Sequence, residues 1–124
     1  MFDFTILLSA IIFVLLDSVY LSFIKNYFDK QIYSIQGSKI KINFVGAMLC
    51  YIFLIVGLNY FIIKPKKSIS DAFLLGLIIY GVYETTNYAL LSKWSILTVI
   101  IDTLWGGILF ASTAYIVNSI KRIF

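Results

Sequence analysis

Histidine is absent from this chain of 124 residues. That absence removes the commonest general base and the ligand set on which membrane di-iron oxygenases depend. A single cysteine, Cys50, excludes an intrachain disulfide and leaves the redox compartment unreadable. Lying inside an apolar run, it is expected to be an inert core residue. A single proline, Pro65, leaves the apolar stretches free of helix breakers. Charge is scarce too: 13% of the residues are charged, against 61% hydrophobic and a mean hydropathy of +0.98. Soluble domains carry nearly twice that charged share, and a soluble fold of this size has no room to hide so much apolar surface. The net charge of +4 does not indicate nucleic acid, because the basic residues stand singly or in pairs at the ends of apolar runs. Membrane-end anchoring and lipid headgroups account for them.

What is present is apolar sequence of spanning length. Runs at Phe4 to Ile24, Ile42 to Ile63, Ser70 to Leu91 and Trp94 to Asn118 each match the roughly 20 residues that cross a bilayer as a helix. The expected fold is all-α: a polytopic membrane protein, a bundle of four transmembrane helices in a single domain over residues 1–124. The start Met1, Phe2, Asp3 carries no basic n-region and no small-residue cleavage site follows the first run, so the first helix is expected to be retained. Pro65, between Lys64 and Lys66, ends the second helix in a tight polar connection. In the long connection from Lys25 to Lys41, Ile24, Phe28, Ile32 and Ile35 recur at helical spacing opposite Lys25, Asp29 and Lys30. Two readings stand open for residues 25–36: a short amphipathic helix in the interface, ended by Gly37 and Ser38, or a polar loop. Five basic residues fall on each side of the membrane, so the positive-inside rule leaves the topology undetermined.

Six acidic residues occur, and three of them fall within spans: Asp17, Glu84 and Asp102. Each costs about 2.5 to 3.5 kcal/mol near a helix centre on insertion scales, so all three are expected to face the bundle interior. Alternating helix direction puts them in the same half of the bilayer, roughly 5 Å from the midplane. Helices about 8 to 10 Å apart would then bring the carboxyl groups within one side-chain length or one bridging water of each other. Helical spacing adds Tyr80, Tyr83 and Asn87 to the face of Glu84, Thr98, Trp105 and Gly106 to that of Asp102, and Tyr20 one turn beyond Asp17. Helix two offers Gly46, Ala47, Cys50 and Tyr51 at that depth, where the small residues let backbones approach, as Gly106 and Gly107 do in helix four. Trp94, at a span end, reads as an interfacial belt residue. With no lysine or arginine inside the spans, some of the acids must be protonated, hydrogen-bonded or bound to a cation, with tyrosine hydroxyls, threonines and Asn87 as the expected hydrogen-bond sources.

The run Tyr80, Gly81, Val82, Tyr83, Glu84, Thr85, Thr86, Asn87, followed by Trp94 and by Asp102, Thr103, Leu104, Trp105, Gly106, resembles the signature of a family of predicted membrane proteins catalogued as domain of unknown function 2177. Leu16, Asp17, Tyr20 and Leu21 resemble its first-helix motif. The chain departs from the pattern in having Glu84 where aspartate is more usual and Ser95 where a proline commonly follows the tryptophan. The resemblance implies a four-span fold and the same site residues, and brings no established activity.

Three functions fit these features. One is a proton- or cation-coupled transporter, with the acids as the binding groups, cation–π attraction from Tyr80, Tyr83 and Trp105, and an oligomer to supply the bulk that one protomer lacks. A second is an enzyme or accessory of lipid metabolism acting on a headgroup, although no phosphate-binding loop or nucleophile system is recognisable. A third is a structural protein of a membrane or envelope, its acids serving as polar glue. No resident cofactor or metal is implied; the expected partners are the bilayer, further copies of the chain, and a proton, cation or lipid headgroup.

Overall fold

The computed structural model describes residues 4–123. They form four helices: α1 (Phe4–Gln36), α2 (Phe44–Leu58), which runs on through a π-helical turn at Asn59–Ile63, α3 (Ile69–Leu90) and α4 (Ile96–Ile123). Three helical segments, Phe4–Gln36, Phe44–Ile63 and Ile96–Ile123, are long and apolar enough to cross a membrane. The 22 residues of α3 have the length, but Asp71, Glu84 and the polar stretch Thr85, Thr86, Asn87 dilute its apolar character.

The first helix does not end at Ile24. Nothing between Ile24 and Gln36 breaks it, and its 33 residues reach about 50 Å, well beyond a hydrocarbon core of roughly 30 Å. The stripe of Ile24, Phe28, Ile32 and Ile35 is partly buried while Lys25 and Lys30 are exposed. The extension therefore continues the axis of α1, which replaces both the interfacial helix and the loop. Gly37, at φ +73°, terminates it with its N–H on the Tyr33 carbonyl at 2.9 Å, a left-handed cap that suits glycine.

The other ends are set by side chains. Asn43 caps α2 by accepting the Gly46 N–H at 3.1 Å, and Ser68 caps α3 by accepting the Asp71 N–H at 3.1 Å. Lys121 and Arg122 lie in the last turn of α4, where cations complement the helix dipole, and α4 runs five residues past the expected Asn118.

α3 and α4 pack antiparallel along their length, and they approach closest at Gly76 and Gly106. A Cβ on Gly76 would fall on the Gly106 carbonyl oxygen, and one on Gly106 would fall on the Tyr80 ring. Small residues permit this approach, and the dispersion contacts it yields are the main attraction between helices in lipid. On its other side α4 packs on α1, and Phe13, Leu58, Leu109, Phe110, Ala114 and Val117 are fully buried there. The rings of Phe13 and Phe110 meet edge to face at 5.5 Å.

α2 joins this core from Tyr51 onward. Ile55 and Leu58 are buried, whereas Phe44, Val45, Met48, Leu49, Ile52 and Phe53 are exposed. The expected close approach at Gly46 and Ala47 does not occur: a Cβ on Gly46 would meet only the Asn43 side chain of its own cap. Cys50 is exposed rather than a core residue, because it lies on the outer side of α2 while its neighbour Tyr51 turns inward to Phe13.

Candidate functional site

The site is built on a repeat of spacing in α1 and α4. Each carries an aspartate followed three residues later by an aromatic residue with a hydrogen to donate: Asp17 and Tyr20, Asp102 and Trp105. Two antiparallel helices in this register must set each aspartate opposite the other helix's aromatic. Accordingly, Trp105 Nε1 donates to Asp17 Oδ1 at 2.9 Å and the Tyr20 hydroxyl donates to Asp102 Oδ1 at 3.1 Å. Between the two bonds the Tyr20 and Trp105 rings stack with centroids 4.5 Å apart and planes 6° from parallel. The two aspartates thus sit three residues apart in level, roughly 4.5 Å along the axis.

α2 closes the Asp17 end. The Tyr51 hydroxyl donates to Asp17 Oδ2 at 2.6 Å, so both oxygens of this carboxyl are occupied by neutral donors from two other helices. Neutral donors satisfy a buried carboxyl group with directional bonds and without burying a further charge.

Glu84 is held differently. It is 0% exposed, and its Oε1 accepts the indole N–H of Trp94 at 2.8 Å. Its Oε2 is buried with no hydrogen-bond partner, and the acid beside it is Asp102. Trp94, expected in an interfacial belt, is only 6% exposed. The turn between α3 and α4, closed by the Trp94 N–H on the Leu91 carbonyl at 2.9 Å, folds its ring back onto Glu84.

The other expected residues divide. Tyr80 packs on Gly106 beside the acids. Tyr83 is 60% exposed on the outer face of α3 and does not join them. It lies 100° around the helix from Glu84, whereas Gly76, Tyr80 and Glu84 follow the four-residue ridge that faces α4. Asn87 is half-buried and contributes its backbone carbonyl to the end of α3. Thr98 belongs to a separate polar group above the acids, with its Oγ1 2.8 Å from the Tyr27 hydroxyl and 3.0 Å from Gln31 Oε1. Gln31 Oε1 also accepts the Ser95 N–H at 2.9 Å, so the extension of α1 caps the start of α4.

Of the expected hydrogen-bond sources, tyrosine hydroxyls do serve the acids, at Tyr20 and Tyr51, whereas threonines and Asn87 do not; the indole donors Trp94 and Trp105 and the polar group at Tyr27 and Gln31 were not foreseen. The available signal was arithmetic: three buried carboxyl groups require several donors, and the tyrosines and tryptophans within a turn of their depth are the only rich supply. No three of the described acidic or cysteine side chains are grouped so as to hold a metal ion.

No curated protein and no solved structure matches the chain. The family model of a predicted membrane protein, DUF2177, matches residues 3–118, a stretch that holds all three buried acids and every donor described above. The chain therefore belongs to this family of predicted membrane proteins.

Proposed function

We propose that the protein is a proton-coupled membrane carrier in which Glu84 and Asp102 bind the proton and Asp17 locks the helices around them. The observation that carries this reading is the Glu84 carboxyl, fully buried, with Trp94 on one oxygen and no donor for the other beside Asp102. An unsatisfied polar atom in hydrocarbon costs several kcal/mol, and a proton held between the two carboxyl groups supplies the missing donor. One carboxyl then donates and the other accepts. A proton suits the site better than a metal ion, because Trp94, Tyr20, Trp105 and Tyr51 already occupy acceptor positions that a metal would claim. In this reading α3 crosses the bilayer with α4, its polar face turned onto its partner helix.

Asp17 supports an architectural role instead. Both its oxygens are satisfied, and it ties α1 to α2 and α4 at one point. The test is proton flux in proteoliposomes under an imposed pH gradient. Flux through the unmodified chain, lost in both Glu84→Gln and Asp102→Asn while these variants still insert, supports the reading. Flux of unchanged pH dependence in both variants contradicts it.

A further inference from the structure

At the opposite end of the bundle from the acids, a cavity of about 1200 Å³ opens between the start of α1, the π-helical turn, the α2–α3 connection and the end of α4. Five cations line it: Lys64, Lys66, Lys67, Lys121 and Arg122. None has an anionic partner among the described residues, whose one ion pair is Lys25 with Asp29. Among the described residues, the one side-chain hydrogen bond from these five is Arg122 to Ser119 at 3.4 Å. At the other end Lys25 is paired with Asp29 and Lys93 donates to the Ser34 carbonyl at 3.0 Å, and what sets the five apart from Lys30, Lys39 and Lys41 is that they share one cavity. Five like charges gathered around one cavity repel each other, so an arrangement that keeps them together fits an anion that joins them.

The backbone of the same wall is irregular in two places. The π-helical turn supplies Asn59, Tyr60 and Ile63 to the lining, and π turns inside α-helices commonly mark functional positions. Immediately after it, Lys66 adopts φ +58°, closing a turn in which the Lys67 N–H reaches the Ile62 carbonyl at 2.8 Å and the Lys66 N–H the Ile63 carbonyl at 3.1 Å. This helix ending ordinarily takes glycine at the left-handed position, because a Cβ strains it. A lysine retained there implies a use for its side chain.

We propose that this cavity binds the phosphate-bearing headgroup of an anionic phospholipid drawn from the bilayer. The size favours a lipid over a free phosphate ion, which would occupy a small part of it. The walls favour it too: Ile6 and Ile63 add apolar lining beside the cations, and Val56 and Tyr60 are exposed at the side, where an acyl chain would lie. The site is separate from the acids and does not depend on the carrier reading.

The experiment is lipid retention by the full chain in nanodiscs of phosphatidylcholine and phosphatidylglycerol in equal parts, read by native mass spectrometry after extraction. Selective retention of phosphatidylglycerol is expected. Lys66→Gly should weaken that selectivity roughly fivefold and Lys121→Gln with Arg122→Gln on the order of 25-fold, while Lys39→Gln with Lys41→Gln, at the other membrane face, should leave it unchanged. Lys66→Gly relieves backbone strain, so its loss of selectivity would not come from misfolding, and the Lys121 and Arg122 positions are exposed at a helix end. Equal retention of the two lipids by the unmodified chain overturns the proposal, as does an equal loss in the Lys39 and Lys41 variant. Full displacement of phosphatidylglycerol by millimolar inorganic phosphate would assign the cavity to a soluble anion and overturn the lipid.

Discussion

Replacing Trp105 with phenylalanine removes one hydrogen from the α1–α4 clasp and leaves an aromatic ring to stack on Tyr20. The lost bond is the 2.9 Å contact from Trp105 Nε1 to Asp17 Oδ1, and Asp17 keeps only Tyr51 at 2.6 Å. Two magnitudes compete. A hydrogen bond to a charged group in a soluble protein contributes about 1.5 to 3 kcal/mol. Side-chain bonds between membrane helices average about 0.6 and reach about 1.7 kcal/mol, because helices separated in lipid find other partners. The membrane range governs here, and the carboxyl acceptor and the burial of Asp17 favour its upper part, so the bond should be worth about 1 to 1.7 kcal/mol. The smaller ring also loses packing, so the single variant overstates the bond. A double-mutant cycle of Trp105→Phe with Asp17→Leu isolates it, since the packing loss cancels. Helix content followed by circular dichroism through a detergent unfolding titration gives the four stabilities. A coupling within about 0.3 kcal/mol of zero would refute the claim that indole and carboxylate bind one another.

Gly76→Ala should destabilise the α3–α4 pair by about 3 kcal/mol or prevent folding, because the new methyl falls on the Gly106 carbonyl, a backbone atom that cannot step aside. Gly57→Ala, with nothing within 4 Å of its Cβ, should be neutral or slightly stabilising in the same titration. Trp94→Phe removes the donor to Glu84 Oε1 and should lower stability by about 1 kcal/mol and quench any proton flux, whereas Trp94→Phe with Glu84→Leu should regain the stability without the flux. Cys50 can be exchanged for serine or alanine with little change in folded yield, since its side chain is exposed and without a disulfide partner; a large fall in yield would contradict this.

The four helices were legible because apolar runs of spanning length admit few alternatives, and the caps at Ser68 and Gly37 stand where their residue types predict. The extension of α1 was harder. Its stripe of Ile24, Phe28, Ile32 and Ile35 indicates a helix with one apolar face, but a pattern does not say whether that face meets lipid or the rest of the chain. The π-helical turn has no compositional sign at all, since it adds one residue to a register that reads apolar in any case. The inward position of Asp17, Glu84 and Asp102 followed from the cost of charge in lipid, and tyrosine hydroxyls as donors from the same need, but the two indole donors did not. Trp94 was assigned by the statistics of membrane interfaces, when the need of a buried carboxyl for a donor is the stronger constraint. Helical spacing from Tyr80 and Asn87 puts Tyr83 on the face of Glu84, but the Gly76, Tyr80, Glu84 ridge is the one that meets α4, and it turns Tyr83 outward. The reciprocal spacing of Asp17 with Tyr20 and Asp102 with Trp105 was present in the sequence throughout, and becomes readable as a clasp once α1 and α4 are known to be antiparallel neighbours.

The central claim is that Glu84 and Asp102 hold a proton inside the bundle, and infrared spectroscopy of the reconstituted protein observes such a proton at the bond that carries it. A carboxyl group bearing a proton in apolar surroundings shows a C=O stretch that is resolved from the bands of carboxylates and amides. The account predicts this band in the unmodified chain, its shift in deuterium oxide, and its loss in both Glu84→Gln and Asp102→Asn, with Asp17→Asn leaving it in place. A spectrum in which the band is missing across the whole pH range over which the protein stays folded, or persists unchanged in Glu84→Gln, would contradict it.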